Sequence, residues 1–151
     1  MALAAGDRAP LVALSDQNGE GRRSDQLAGK ALVLFFYPKD DTPGCTAEAC
    51  AFRDSYADLQ SLGAEVWGVS GDDQASHQRF ASRHDLPFPL LVDQGNALRK
   101  AFGVPNVLGL LPGRVTYVID REGVIRHVFN NLLDGAAHRN EARAALQRLA
   151  L

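Results

Sequence analysis

Cysteine is scarce in this chain, with 2 residues in 151. That scarcity excludes a disulfide-framed scaffold, so any pairing of the two thiols is chemical rather than structural. Charge of one sign is lacking as well. Against 18 Asp and Glu stand 16 Lys and Arg, scattered along the chain, for a net charge of −2, which disfavours binding of nucleic acid or an anionic membrane by bulk charge. No segment approaches the roughly 20 apolar residues of a bilayer span. The N-terminal MALAAGDRAP has no basic start followed by a long apolar stretch, so the sequence reads as soluble and cytoplasmic. A glycine-rich phosphate loop is missing, which argues against direct use of a nicotinamide cofactor. The histidines His77, His84, His127 and His138 are dispersed without a zinc-type spacing to the cysteines, so no metal is expected. His77 and His84 share one helix face, as on an ordinary amphipathic surface. Repeats, linkers and low-complexity tracts are absent too. What remains, 46% hydrophobic and 23% charged, is one globular domain, residues 1–151, with a real core.

Leu11 to Leu14 and Gly19 to Ser24 bracket the polar DQNGE and predict a short N-terminal hairpin. ALVLFFY, Ala31 to Tyr37, is a continuous apolar run of the kind buried on both faces of a sheet, and AEVWGVS, Ala64 to Ser70, has the same character. PLLVD, Pro89 to Asp93, and RVTYVID, Arg114 to Asp120, add two strands, the latter followed by EG and VIRHVFN as a hairpin. Helical patterns alternate with them. Ala49, Phe52, Tyr56 and Leu59 form one stripe that stops at Gly63. Asp72 or Asp73 can cap a helix through Phe80 to His84, and Asp93 one through Leu98 and Phe102 to Gly103. Asp134 can begin a last helix with Ala142, Ala145, Leu146 and Leu149 on its apolar side. The order predicts a mostly parallel sheet with helices on both faces and an antiparallel edge pair.

Both cysteines lie in YPKDDTPGCTAEAC, Tyr37 to Cys50. Thr42 reads as an N-cap and Pro43 as the first helical residue, which puts Cys45 in the first turn. Free backbone N–H groups and the positive helix end then favour a thiolate, making Cys45 the candidate nucleophile. Asp40 and Asp41 just upstream oppose this unless they point away, so a cation from elsewhere in the fold is expected. Lys39 reads as a solvated surface charge. Five helical positions rotate about 140° and separate Cα atoms by roughly 8.7 Å, beyond the reach of about 7 Å for a disulfide. Cys45 shares the stripe of Ala49, Phe52, Tyr56 and Leu59, whereas Cys50 falls with Arg53, Asp54 and Ala57. The spacing suits oxidation of Cys45 to sulfenic acid, followed by unwinding and condensation with Cys50. On spacing alone, buried free cysteine as core filler is an equal reading. Phe35, Phe36 and Tyr37 read as core rather than as a substrate platform.

PKDDTPGCTAEACAFRD closely resembles the active-site segment of peroxiredoxins of the bacterioferritin-comigratory-protein, or PrxQ, subgroup. GDRAPLVAL, VWGVSGDD, HDLPFPLLVD and RVTYVIDREG extend the resemblance over nearly the whole chain. It implies a thioredoxin-like fold, with a central mixed sheet flanked by helices, and a thiol peroxidase needing no metal or organic cofactor. In the pattern Pro38, Thr42, Cys45, the resemblance makes Cys45 the peroxidatic cysteine, Thr42 the hydrogen-bond partner of the peroxide and Pro38 the shield from water. Arg114 matches the active-site arginine, Glu48 a residue supporting it, and Cys50 the resolving cysteine. The implied partners are a peroxide and thioredoxin or a similar dithiol reductant, and the implied state is a monomer or weak dimer. LGLLPG before Arg114 is more apolar than the resemblance leads one to expect. A thioredoxin-like redox relay acting on protein thiols is the competing reading.

Overall fold

A computed structural model describes residues 2–107 and 111–149; 108–110 of the LGLLPG segment lie outside the described residues. A short antiparallel hairpin, β1 (Ala13–Ser15) and β2 (Gly21–Arg23), opens the chain. Five strands form the central sheet: β3 (Ala31–Phe36), β4 (Ala64–Ser70), β5 (Leu90–Val92), β8 (Val115–Ile119) and β9 (Ile125–Asn130), in the order β5-β4-β3-β8-β9. The expected strands are all present. Between β5 and β8 lies a small antiparallel pair, β6 (Asn106–Val107) and β7 (Leu111–Pro112), which the sequence reading did not anticipate.

β3 is central because every one of its residues can be buried. Val33, Phe35 and Tyr37 join a core with Cys45, Ala49, Phe52, Phe80, Ala142 and Leu146, while Leu32, Leu34 and Phe36 join a second core with Trp67, Val69, Phe102 and Tyr117 on the opposite face. Strand alternation thus sends one apolar run into two cores. The first core is covered by α1 (Pro43–Asp54), α2 (Tyr56–Ser61), α3 (Gln74–Arg83) and α5 (Gly135–Leu149); the second is covered in part by α4 (Ala97–Phe102), whose buried side includes Arg99. The ring of Phe35 stacks on Phe52 at 4.6 Å and meets Phe88 edge-on at 5.7 Å.

Four expectations are corrected. The sheet is not mostly parallel: β4 runs parallel to β3 and β5, but β8 is antiparallel to both β3 and β9, because the chain reverses after α4 before it enters the sheet. The stripe from Ala49 to Leu59 is two helices, broken at Ser55, whose φ of −108° and ψ of 6° leave the helical region. Leu149 is 38% exposed and does not complete the apolar side of α5. His77 is fully buried rather than on an amphipathic surface. The caps fall close to expectation, with Asp73 accepting from Ser76 N, Asp93 from Leu98 N and Arg99 N, and Asp134 from Ala137 N.

Gly68 in β4 faces this packing, since a Cβ there would lie 2.7 Å from Phe35 Cζ and 2.9 Å from Leu90 Cδ2. Gly68→Ala is therefore expected to lower the free energy of unfolding by about 1–3 kcal/mol through overpacking. Urea denaturation checks this, and an unchanged midpoint would contradict the packing described.

Candidate active site

The segment from Pro38 to Thr42 carries the chain from the end of β3 into α1. Asp40 is nearly fully buried, and its carboxylate accepts from Tyr37 Oη at 2.6 Å, Ser76 Oγ at 2.8 Å and His77 Nδ1 at 2.7 Å. The other ring nitrogen of His77 donates to Leu91 O at 2.8 Å. Both partners are acceptors, so the imidazole donates from both nitrogens; burial opposes that charge, yet Asp40 holds the ring above its usual value. Asp41, at a positive φ of 61°, turns the other way and pairs with Arg83 Nη1 at 3.2 Å and His84 Nε2 at 3.5 Å. The two carboxylates that would have opposed a thiolate therefore have other partners. Asp40, Asp72 and His77 bring ligand-type atoms within 4.8 Å of one another, but these atoms already serve internal hydrogen bonds.

Thr42 has extended backbone angles and Pro43 is the first helical residue, as expected. The hydroxyl, however, does not cap α1 and donates instead to Lys39 O at 2.9 Å. Its lone pairs, and the first amides of the helix, are thereby left for a ligand. Lys39 is exposed, as read from the sequence, and Pro38 is half-buried.

Cys45 is 1% exposed in the first turn of α1. The cation demanded by the charge argument is Arg114, just before β8, because β8 lies beside β3 and delivers that side chain to the sulfur. Its side chain is 4% exposed and each of its nitrogens has a contact: Nη2 lies 3.4 Å from Cys45 Sγ, Nη1 donates to Glu48 Oε1 at 2.7 Å, and Nε donates to Leu132 O at 3.0 Å. Gly44 makes the approach possible, since a Cβ there would stand 2.9 Å from Nη2. Glu48 follows Cys45 by three residues, nearly one helical turn, and so points at the same guanidinium. Cys50 is half-buried, and both thiols are free. Of the residues predicted from sequence, Arg114 thus meets both Cys45 and Glu48; Pro38 and Thr42 lie upstream in the segment that leads into α1, and Cys50 lies farther along the same helix.

The sequence reading missed what stands behind Glu48. Thr116 Oγ1 and His138 Nδ1 are 2.8 Å apart, and His138 Nε2 donates to Asn131 O at 2.7 Å. Glu48 Oε2 lies 3.4 Å from His138 Nδ1 and has no hydrogen-bond partner among the described residues. Burial pushes the Glu48 carboxyl up to about 8 although Arg114 pulls it down, and burial pushes His138 down to about 4. The available signal was strand alternation, which turns polar Thr116 toward the α1 side together with core Val118.

The pattern of the AhpC/TSA family matches residues 5–128. Chloroplastic peroxiredoxin Q of Triticum aestivum is 50% identical over 141 residues, covering 93% of this chain and 65% of the relative, so the chain spans just under two thirds of that protein's length. Among solved structures, the peroxidoxin BcpB of Mycobacterium tuberculosis superposes with a TM-score of 0.89 at 35% identity, covering 97% of this chain and 98% of that one. The bacterioferritin comigratory protein of Xanthomonas campestris, described for its alkyl peroxide reduction activity, superposes with a TM-score of 0.85 at 32% identity, covering 96% and 100%.

The two buried titrating groups predict opposite pH slopes. The folded chain keeps Glu48 protonated from its ordinary 4.5 to about 8, so stability falls as pH rises across that window. It keeps His138 neutral from 6.5 down to about 4, so stability falls as pH drops across that one. Urea unfolding as a function of pH is expected to show the first slope flattened in Glu48→Gln and the second in His138→Gln. Profiles parallel to the parent's would contradict the assignment.

Proposed function

The chain belongs to the AhpC/TSA family, alongside the peroxiredoxin Q proteins it resembles, and from that membership we propose that it is a two-cysteine thiol peroxidase. The observation that carries the reading is Arg114 bridging Cys45 Sγ and Glu48 at the start of a helix. Cys45 as thiolate attacks one oxygen of a hydroperoxide, the S–O bond forms as the O–O bond breaks, and the departing oxygen takes a proton to leave as water or alcohol. Arg114 and the backbone N–H of Cys45 meet the charge as it moves from sulfur to oxygen. Thr42 orients the peroxide through the free lone pairs of its hydroxyl, and Pro38 keeps water from the sulfur. No step in this route calls on a metal or organic cofactor.

The Cys45 sulfenic acid then condenses with the Cys50 thiol, releasing water and forming a disulfide. Both residues lie in one continuous helix, at a spacing too long for that bond, so the first turns of α1 unwind for the step. A dithiol reductant, thioredoxin or a similar protein, restores both thiols by exchange. The substrates are hydrogen peroxide and organic hydroperoxides, the unit is one domain over residues 1–151, and the working state is a monomer. The relatives' chloroplastic names belong to those proteins; for this chain we propose a soluble, thiol-reducing compartment such as the cytoplasm. No helix among the described residues is long and apolar enough to cross a membrane.

Peroxide consumption supported by thioredoxin and its reductase tests the assignment. Cys45→Ser is expected to fall to background, while Cys50→Ser consumes one peroxide per chain and then stops. Full turnover by Cys45→Ser would overturn the reading, and slow peroxide reaction with mixed-disulfide formation on a client would favour a redox relay instead.

A further inference from the structure

One buried charge has no part in the chemistry above. Arg99, in α4, is 3% exposed. Its Nη1 donates to Gly113 O at 2.6 Å and its Nη2 to Tyr37 O at 2.7 Å, while its Cζ lies over the Phe36 ring, 5.7 Å from the centroid. Among the described residues no carboxylate accepts from this guanidinium; Asp93, nearby, accepts instead from the backbone N–H groups of Leu98 and Arg99. A guanidinium buried against carbonyls alone is costly unless the surrounding charge compensates it.

The two carbonyls it holds are not arbitrary. Tyr37 directly precedes Pro38 and the segment that leads to Cys45. Gly113 directly precedes Arg114. These two backbone points come from distant parts of the chain, and a planar fork with fixed donor spacing is suited to setting the distance between them. Burial draws down the basicity of Arg99, while negative charge at Asp93 and then at Cys45 acts in the opposite sense.

We propose that Arg99 is a positioning residue of the peroxide site: its fork ties the Tyr37 and Gly113 carbonyls together, holding the Cys45 segment and Arg114 in register. The proposal rests on the peroxidase reading. Lysine keeps the charge but cannot bridge both carbonyls, so Arg99→Lys isolates the fork.

The test uses the reduced full chain, Arg99→Lys and Arg99→Met, with folding checked by circular dichroism. Alkylation by iodoacetamide against pH, read by mass spectrometry on the Cys45 peptide, follows thiolate formation, and stopped-flow mixing with hydrogen peroxide gives the oxidation rate. Arg99→Met is expected to move the alkylation midpoint to higher pH and to slow oxidation by about tenfold or more at neutral pH. Arg99→Lys is expected to behave like Arg99→Met, because without the fork Arg114 no longer sits in register with the sulfur. A folded Arg99→Lys that oxidises as fast as the parent overturns the positioning role even where Arg99→Met fails to fold, and a folded Arg99→Met with the parent's midpoint and rate overturns it as well. Should the parent itself react slowly with peroxide, the peroxidase reading fails, whereas the alkylation series still decides what Arg99 does to the sulfur.

Discussion

A guanidinium withdrawn from water between a sulfur and a carboxyl constrains everything around it. Arg114 has little solvent to fall back on, so its nitrogens look for acceptors within the protein, and the three they find come from α1 and from the segment before α5. That requirement fixes the distance between the start of α1 and the start of β8, and it admits only glycine at position 44 without displacement of the side chain. Removing one partner from such a buried set is destabilising, because the guanidinium then loses an acceptor where no water replaces it.

The same constraint explains the segment before the helix. For Arg114 to serve the sulfur, the neighbouring carboxylates must be occupied elsewhere, and Asp40 and Asp41 are: one reaches inward to Tyr37, Ser76 and His77, the other outward to Arg83 and His84. Asp40 thereby anchors the segment to α3 upstream of Thr42. On the proposed reaction, unwinding of α1 begins beyond that anchor, so the first helical turns move while the peroxide-binding segment stays in place. The five-residue offset between the thiols is then functional, because the sulfur meets its oxidant before its partner can reach it.

Much of this was legible in the sequence, for identifiable reasons. An uninterrupted apolar run marked β3, and a largely apolar one β4, because strands covered on both faces have little polar side to show. Thr42 and Pro43 marked the helix start through backbone preferences that are local. Strand direction was not legible, since a two-residue period is the same in a parallel and an antiparallel strand. Neither was the break at Ser55, because Ala49, Phe52, Tyr56 and Leu59 keep helical spacing across it. His77 read as a surface residue, and neither Arg99 nor His138 stood out, because the carbonyls they bond, those of Tyr37, Gly113, Leu91 and Asn131, come from other parts of the chain. The family resemblance supplied Arg114 and Glu48, which sequence spacing alone does not bring together.

The central claim is that Arg114 makes the Cys45 sulfur reactive. Its most direct measurement is stopped-flow oxidation of the reduced chain by hydrogen peroxide, without reductant, for the parent and for Arg114→Gln across pH. The account predicts a rapid burst in the parent and a rate lower by about a hundredfold at neutral pH in the variant, partly recovered as alkaline pH ionises the thiol. Equal rates in the two proteins at neutral pH would contradict it.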